Sequence, residues 1–361
     1  MKIIARYIRR HPLHVLLLTI PLAILAKFVG WGAGWVFGLS AAGVIPLASL
    51  IGEATENLAT HTGSRIGGLI NATLGNAAEL IITLFAIQAG LLELVKASIT
   101  GSIIGNLLFV LGLSILLGGI KHGIQHFDRT HTVNYTILLA IALIGLTTPS
   151  LFSHSIADDL PQKVEVLSLS VAGVMILLYA LGIIFSLKVK PSSGIGAPPE
   201  PDAEEKASWT IPKSLIVLAL STGGVVWLSE LLVGSVEAVV TGSGMSEFFL
   251  GIILVPVIGN IAEHLVAVQM AIKNKMELSV EIAVSSSLQI ALFVAPVLVF
   301  ISLLMGNPLT LVFNPFELAA LLAAVLVCYF VSADGESNWL EGAALMAVYV
   351  IFGLAFFILP S

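Results

Sequence analysis

Charge is what this sequence has least of. Only 11% of its 361 residues are Asp, Glu, Lys or Arg, against 57% hydrophobic. That balance cannot clothe a soluble globular surface and assigns the chain to a bilayer. Cysteine is almost absent: Cys328 stands alone in an apolar stretch, which excludes an intrachain disulfide framework or a cysteine metal cluster and leaves the redox compartment unreadable. There is no basic patch to bind nucleic acid, and the net charge of −6 is spread over too few groups to point to a partner. Long polar stretches are equally scarce. One, Lys121 to His131, is basic; the other, Lys188 to Lys213, holds Pro191, Ser192, Ser193, Gly194, Pro198 and Pro199 with the acidic cluster Glu200, Asp202, Glu204 and Glu205. The second reads as a flexible linker between two halves.

Apolar sequence fills the rest. A helix needs about 20 mainly apolar residues to cross a bilayer, and eleven stretches approach that, beginning near positions 13, 33, 66, 97, 133, 164, 212, 246, 279, 315 and 339. The first follows Lys2, Arg6, Arg9 and Arg10 without a convincing cleavage site, so it reads as a membrane helix and not as a signal peptide. With eleven crossings and the N terminus in the cytoplasm, thirteen of the sixteen Lys and Arg fall on the cytoplasmic side, leaving Lys27, Lys96 and Lys163 outside. That bias sets the expected orientation, with a cytoplasmic linker and an extracytoplasmic Ser361.

One gapless offset of 184 residues aligns the two halves. It lays Gly75-Asn76-Ala77-Ala78-Glu79 on Gly259-Asn260-Ile261-Ala262-Glu263, Glu53-Ala54 on Glu237-Ala238, Glu93-Leu94 on Glu277-Leu278, Ser102 on Ser286, and Leu108-Phe109-Val110 on Leu292-Phe293-Val294. Matching Leu or Val is cheap in so apolar a chain; matching Gly, Asn and Glu is not. Each repeat takes five crossings, an odd number, so the two run in opposite senses, as in many secondary transporters whose substrate binds between repeats near the midplane. The expected fold class is an all-α polytopic membrane protein: an N-terminal helix (1–30), a first five-helix repeat (31–188), an acidic linker (189–211) and a second five-helix repeat (212–361).

Counted from those starts, Glu79 lies about fourteen and Glu263 about eighteen residues into its helix, deep in the bilayer at about 1.5 Å per residue. An acidic group at a membrane helix centre costs about 2.5–3.5 kcal/mol even on the lenient insertion scale, so an intramembrane carboxylate is a functional candidate by default. A protonated structural Glu explains one such residue less strainedly than two at repeat-related positions, each after Gly-Asn. Gly loosens the helix and Asn competes for its backbone, so carbonyls near Gly75 and Gly259 can turn toward an ion. Carboxylates, the amide oxygens of Asn76 and Asn260, and backbone carbonyls are hard ligands suited to Ca2+. Two carboxylates are neutralised by one Ca2+ or by two protons. With neither bound, they repel each other, and the empty site should not reorient.

Other polar residues have two readings each. His264, the one histidine placed within a helix, is either a packing residue or a titrating neighbour that repels the ion when protonated. Ser102, Asn106, Ser285, Ser286, Ser287 and Gln289 either line the ion path or glue helices together. Glu53, Glu56, Glu230 and Glu237 are either cation portals at the two mouths or solvated helix ends, Glu230 being the deeper.

The two Gly-Asn-x-Ala-Glu copies, with His264, Lys273-Asn274-Lys275-Met276 and Ser285-Ser286-Ser287-Leu288-Gln289-Ile290-Ala291-Leu292-Phe293, resemble the cation/proton exchangers, the Ca2+/H+ antiporters of the calcium/cation antiporter superfamily. The likeness covers nearly the whole chain. It implies a transporter and not an enzyme, one that exports Ca2+ from the cytosol in exchange for H+ by alternating access. It also implies Ca2+ at Glu79 and Glu263 with Asn76, Asn260 and carbonyls near Gly75 and Gly259, and His264, Ser102, Ser286, Gln289 and Asn106 on the ion path. No cofactor is expected beyond the transported Ca2+ and H+; the partners are the lipid bilayer and, compatibly, further copies of the chain. A bacterial-type plasma membrane is the simplest location. The acidic cluster is short, which favours a solvated linker over a regulatory Ca2+ site, and autoinhibition by a long N-terminal extension, as in many plant members, is not expected. The alternatives are a monovalent cation/proton or Na+/Ca2+ exchanger, although sodium-coupled relatives carry a hydroxyl-rich Pro-Glu pattern where this chain has Asn-x-Ala-Glu. A remote one is an intramembrane metalloenzyme, for which the sequence offers neither a second buried His nor a nucleophile cluster.

Overall fold

A computed structural model describes residues 12–156, 161–188 and 208–359. Twelve helices, labelled in chain order, carry the described chain: α1 Leu13–Val29, α2 Ala33–Leu74, α3 Ala77–Gln88, α4 Leu92–His122, α5 Arg129–Ile156, α6 Pro161–Lys188, α7 Ile211–Val233, α8 Val236–Ser243, α9 Glu247–Ile272, α10 Met276–Leu304, α11 Pro315–Ser332 and α12 Trp339–Ile358. Among the described residues, nine helices are long and apolar enough to cross a membrane, and Leu13–Val29 and Ala77–Gln88 are shorter apolar helices. Large side chains such as Phe28, Trp35, Ile144, Leu220, Phe330 and Ile358 stand exposed around the bundle. Only lipid makes that outer surface tolerable. The acidic linker cluster and the first eleven residues lie outside the described residues.

The third crossing differs from the expected one. Instead of a separate helix from about position 66, α2 is assigned as helix without interruption for 42 residues. In a straight helix, residues eight apart are separated by about 12 Å. A Cβ on Gly67, however, would stand 2.8 Å from the Cβ of Ala59, so the backbone doubles back between them. The limb Ala33–Thr62 crosses once, and the return limb runs through Gly67 to Leu74, breaks at Gly75-Asn76, and resumes as α3. That return crossing is the repeat mate of α9, and α4, α5 and α6 are the mates of α10, α11 and α12. Three crossings contain a π-helical turn: Gly105–Val110 in α4, Leu250–Leu254 in α9 and Ile290–Val294 in α10. Two of these fall at matching places in α4 and α10, just beyond the polar residues Ser102 and Ser286, where an i→i+5 turn re-aims the side chains of one helix face.

The two ends of the bundle are tied differently. On the linker side, β1 (Gln125–His126) pairs antiparallel with β2 (Glu336–Ser337). The end of α9 is held by α4 and the turn after it: Lys121 Nζ and His122 Nε2 donate to the Ile272 carbonyl at 3.0 and 2.8 Å, and Gln125 Nε2 donates to Ala271 O and Asn274 Oδ1. The Lys121 ammonium at this helix C terminus satisfies an orphan carbonyl and the helix dipole together. The start of α7 docks on α2, where Asn57 Oδ1 accepts from Trp209 N at 2.9 Å and His61 Nε2 donates to Trp209 O at 2.8 Å. On the far side, Glu247 accepts from the Leu94 amide at 3.0 Å, capping α4, and Lys96 Nζ donates to Val312 O at 3.0 Å.

Candidate functional site

The break at Gly75-Asn76 puts Glu79 in the first turn of α3 rather than deep within a helix. Fourteen residues of helix before it were expected, but the Gly-Asn step ends the preceding limb instead of merely loosening it. At a helix N terminus the exposed amides carry partial positive charge, which favours a carboxylate there. The second copy behaves otherwise: Gly259-Asn260 lies inside an unbroken α-helical stretch, Val255–Ile272, with the π turn preceding it. Gly259 is needed for close approach. A Cβ on it would stand 3.2 Å from the Cβ of Glu79 and 3.3 Å from its Cα, so glycine lets α9 lie directly on the first turn of α3.

Glu79 is fully buried and its carboxylate is surrounded by donors from two helices, α4 and α9. Oε1 accepts from Ser102 Oγ at 2.5 Å and from Ser98 Oγ at 3.4 Å, and Oε2 accepts from Asn260 Nδ2 at 3.0 Å. Asn260 also donates to Ser102 Oγ at 3.2 Å and to Pro256 O at 3.2 Å. The repeat-related carboxylate, Glu263, is hydrogen-bonded by Ser286, as Glu79 is by Ser102. Ser286 accepts from Asn106 Nδ2 at 3.1 Å, and Asn106 Oδ1 accepts from His264 Nε2 at 3.1 Å. Because an amide oxygen can only accept, His264 carries its proton on Nε2 here. His264, although adjacent to Glu263 in sequence, is therefore linked to its carboxylate through Asn106 and Ser286. Asn76 Nδ2 donates to Gln289 Oε1 at 2.9 Å.

Three oxygens in this cluster face no donor. Asn76 Oδ1, Asn260 Oδ1 and Glu263 Oε2 are buried without a hydrogen-bond partner, as is His264 Nδ1. Unpaired buried acceptors cost about 1–3 kcal/mol each, and a set of them beside two carboxylates is the hard-oxygen surrounding that a Ca2+ ion satisfies. Among the described residues no group of three or more His, Cys, Asp or Glu is placed to hold a metal. Two carboxylates supplemented by amides and hydroxyls suit transient occupancy by a transported ion better than a resident metal.

The structure thus gathers Glu79, Ser102 and Asn260 into one hydrogen-bonded group, Glu263, Ser286, Asn106 and His264 into a second, and Asn76 with Gln289 into a third, with Gly75 at the break and Gly259 at the close approach. It does not bring in the four portal acids. Glu53 is partly exposed and Glu56 exposed on the linker half of α2, and Glu237 is exposed on α8. Glu230, expected to be the deep one, is exposed on a stripe of α7 with Gly223, Val226 and Trp227; counting residues from a helix start says nothing of which face a residue occupies. Sequence reasoning missed Ser98, whose signal was its position four residues before Ser102, on the same helix face. Thr83, which donates to the Glu79 carbonyl at 2.8 Å, left no signal of its own.

For His264→Ala we expect exchange to continue with an altered pH dependence, the maximal rate staying within about tenfold. Initial rates in vesicles across a pH series check this, and an unchanged profile would reduce His264 to packing.

An inverted-repeat helical membrane protein with paired intramembrane carboxylates at the repeat interface is, as a class, a secondary transporter. The chain belongs to the family described as sodium/calcium exchanger protein, whose model matches residues 32–188 and 213–358. It is 42% identical over 360 residues to a protein of Aphanothece halophytica named Ca(2+)/H(+) antiporter, covering 96% of each chain. It is 43% identical over 346 residues to the Ca(2+)/H(+) antiporter ChaA of Bacillus subtilis, covering 94% of this chain and 97% of that one. The solved structure of native YfkE superposes with a TM-score of 0.85 at 40% identity, over 96% of this chain and all of that one.

Proposed function

We propose that this chain exchanges Ca2+ for H+ by alternating access, with Glu79 and Glu263 as one shared site. The observation that carries the reading is the set of unpartnered buried oxygens, Asn76 Oδ1, Asn260 Oδ1 and Glu263 Oε2, beside a fully buried Glu79. One Ca2+ or two protons neutralises the two carboxylates, and either loading removes the charge repulsion that disfavours the empty site. Ca2+ and H+ thus compete for the same oxygens, which makes the transport obligatory exchange. The names of the relatives, Ca(2+)/H(+) antiporters at 42% and 43% identity, support protons over sodium as the counter-ion.

The halves of the exchanger are the repeats 31–188 and 212–361, with residues 1–30 as a helix outside them and 189–211 as the linker. The linker side faces the cytoplasm, where Lys and Arg concentrate, in a bacterial-type plasma membrane, and Ca2+ is exported by the inward proton gradient. Ca2+ uptake into inverted vesicles carrying the protein is expected to collapse with a protonophore and to ignore a Na+ gradient. Uptake that follows Na+ and survives the protonophore would refute proton coupling.

A further inference from the structure

Buried hydroxyls inside the helices of this protein commonly turn back on their own backbone. Thr55, Thr136, Ser235 and Ser287 each donate to the carbonyl four residues earlier, at 2.7, 2.8, 2.9 and 3.0 Å, a bond that the helix itself offers. Ser98, fully buried on α4, does not take it. Among the described residues its one hydrogen-bond partner is Glu79 Oε1, at 3.4 Å, beyond the range of about 2.5–3.0 Å in which a hydroxyl binds oxygen well. A buried hydroxyl that forgoes the backbone for one overlong bond is under-used in this arrangement.

The bond is long because the carboxylate leans on a nearer hydroxyl. Ser102 donates to the same Oε1 at 2.5 Å. The two serines lie on one face of α4, four residues or about 6 Å apart along its axis, and α4 starts on the far side, so Ser98 is the one nearer that side. The 184-residue offset accounts for Ser102 and not for Ser98. It pairs Ser102 with Ser286, which bonds Glu263 in its turn, but Ser98 with Ile282. The second hydroxyl therefore belongs to Glu79 alone.

The face of α4 bordering Ser98 is closed against α9. The π turn Leu250–Leu254 lies on it: a Cβ on Gly251 would stand 2.7 Å from the Cβ of Ala97, and one on Gly101 would run into the carbonyl of Ile252. Ala97 and Ile252 are buried. This far-side seal has no side chain that can swing aside, so the far side opens only when α9 and α4 part. The space that opens lies beside Leu94, Ala97, Ser98 and Gly101, of which only Ser98 carries a side-chain oxygen. Asn260 moves with α9, and with it go the bonds of its Nδ2 to Glu79 Oε2 at 3.0 Å and to Ser102 Oγ at 3.2 Å, which hold the carboxylate in its present place.

We propose that Ser98 is a positioning residue for Glu79 in the far-side-open state: as α9 leaves α4, the carboxylate exchanges Ser102 for Ser98 and is held toward the far side, where it meets the ion. The bond that is long with the far side closed shortens when that side opens. Glu263, with an isoleucine at the matching position, has no such second station. The proposal rests on reading the chain as an alternating-access exchanger.

Ser98→Ala tests it, since alanine removes the hydroxyl without adding bulk. Initial rates of Ca2+ uptake are measured over a range of Ca2+ concentrations in acid-loaded vesicles, one set with the linker side outward and one with the far side outward. The Ca2+ concentration giving half the maximal rate is expected to rise about tenfold when Ca2+ is offered from the far side, the loss of one hydrogen bond to a charged group. Offered from the linker side, it is expected to stay within about twofold of wild type, because the 3.4 Å bond contributes little there. A purely structural serine would move both values together or neither, and either result would overturn the proposal. So would a rise confined to the linker side. Wild-type uptake that persists without the proton gradient would instead refute the exchange reading, and the same vesicles report it separately.

Discussion

Glu79→Gln is expected to abolish exchange, with Ca2+ uptake falling at least about 100-fold, and Glu263→Gln to do the same. The amide preserves the size of each side chain and can still accept from Ser102 or Ser286, so the packing around α3 and α9 survives. What it removes is one of the two negative charges that balance a divalent ion. It also removes one of two proton sites, so the proton-loaded half of the cycle fails together with the Ca2+-loaded half. Proton-driven Ca2+ uptake in vesicles matched for the amount of protein checks this, and near-normal transport in either variant would remove the shared-site mechanism.

Gly101→Val has the second large expected effect, for a mechanical reason. Gly101 touches the Ile252 backbone, and any Cβ there meets its carbonyl. A branched side chain would push the π turn of α9 off α4. Overpacking of this kind typically costs about 1–3 kcal/mol, and here the strain falls only on the state in which the far side is sealed. Exchange is expected to drop by about 10- to 100-fold while the protein still inserts and folds, because alternating access needs both sealed states. Uptake assays together with the thermal stability of purified protein separate the two effects. Full exchange activity in the variant would mean that this contact is not the far-side seal.

Much of the site was legible in the sequence because its residues are expensive where they stand. Two Gly-Asn-x-Ala-Glu copies at one fixed offset in an apolar chain single out Glu79, Glu263, Asn76 and Asn260 as candidates, and the same offset pairs Ser102 with Ser286. The structure adds that the two copies are not conformationally equivalent. Identical Gly-Asn pairs break the backbone at Gly75-Asn76 but stay helical at Gly259-Asn260, so tertiary packing, and not local propensity, decides where the helix yields. The doubling back of α2 was hidden for a related reason, since helical hydrogen bonding runs on through the turn. The strand pair Gln125–His126 with Glu336–Ser337 is too short to show alternation. The exposure of Glu230 turns on which helix face it occupies relative to neighbours far away in sequence, which a hydropathy profile does not contain.

In the shared-site mechanism one Ca2+ and two protons compete for the same pair of carboxylates. Titrating purified, weakly buffered protein with Ca2+ while recording both bound Ca2+ and released protons tests it most directly. One Ca2+ is expected to bind per chain, with proton release that rises toward two per Ca2+ as the starting pH is lowered, and both signals are expected to be lost in Glu79→Gln. Ca2+ binding that releases no protons at any pH, or that persists at full strength in Glu79→Gln, would contradict it.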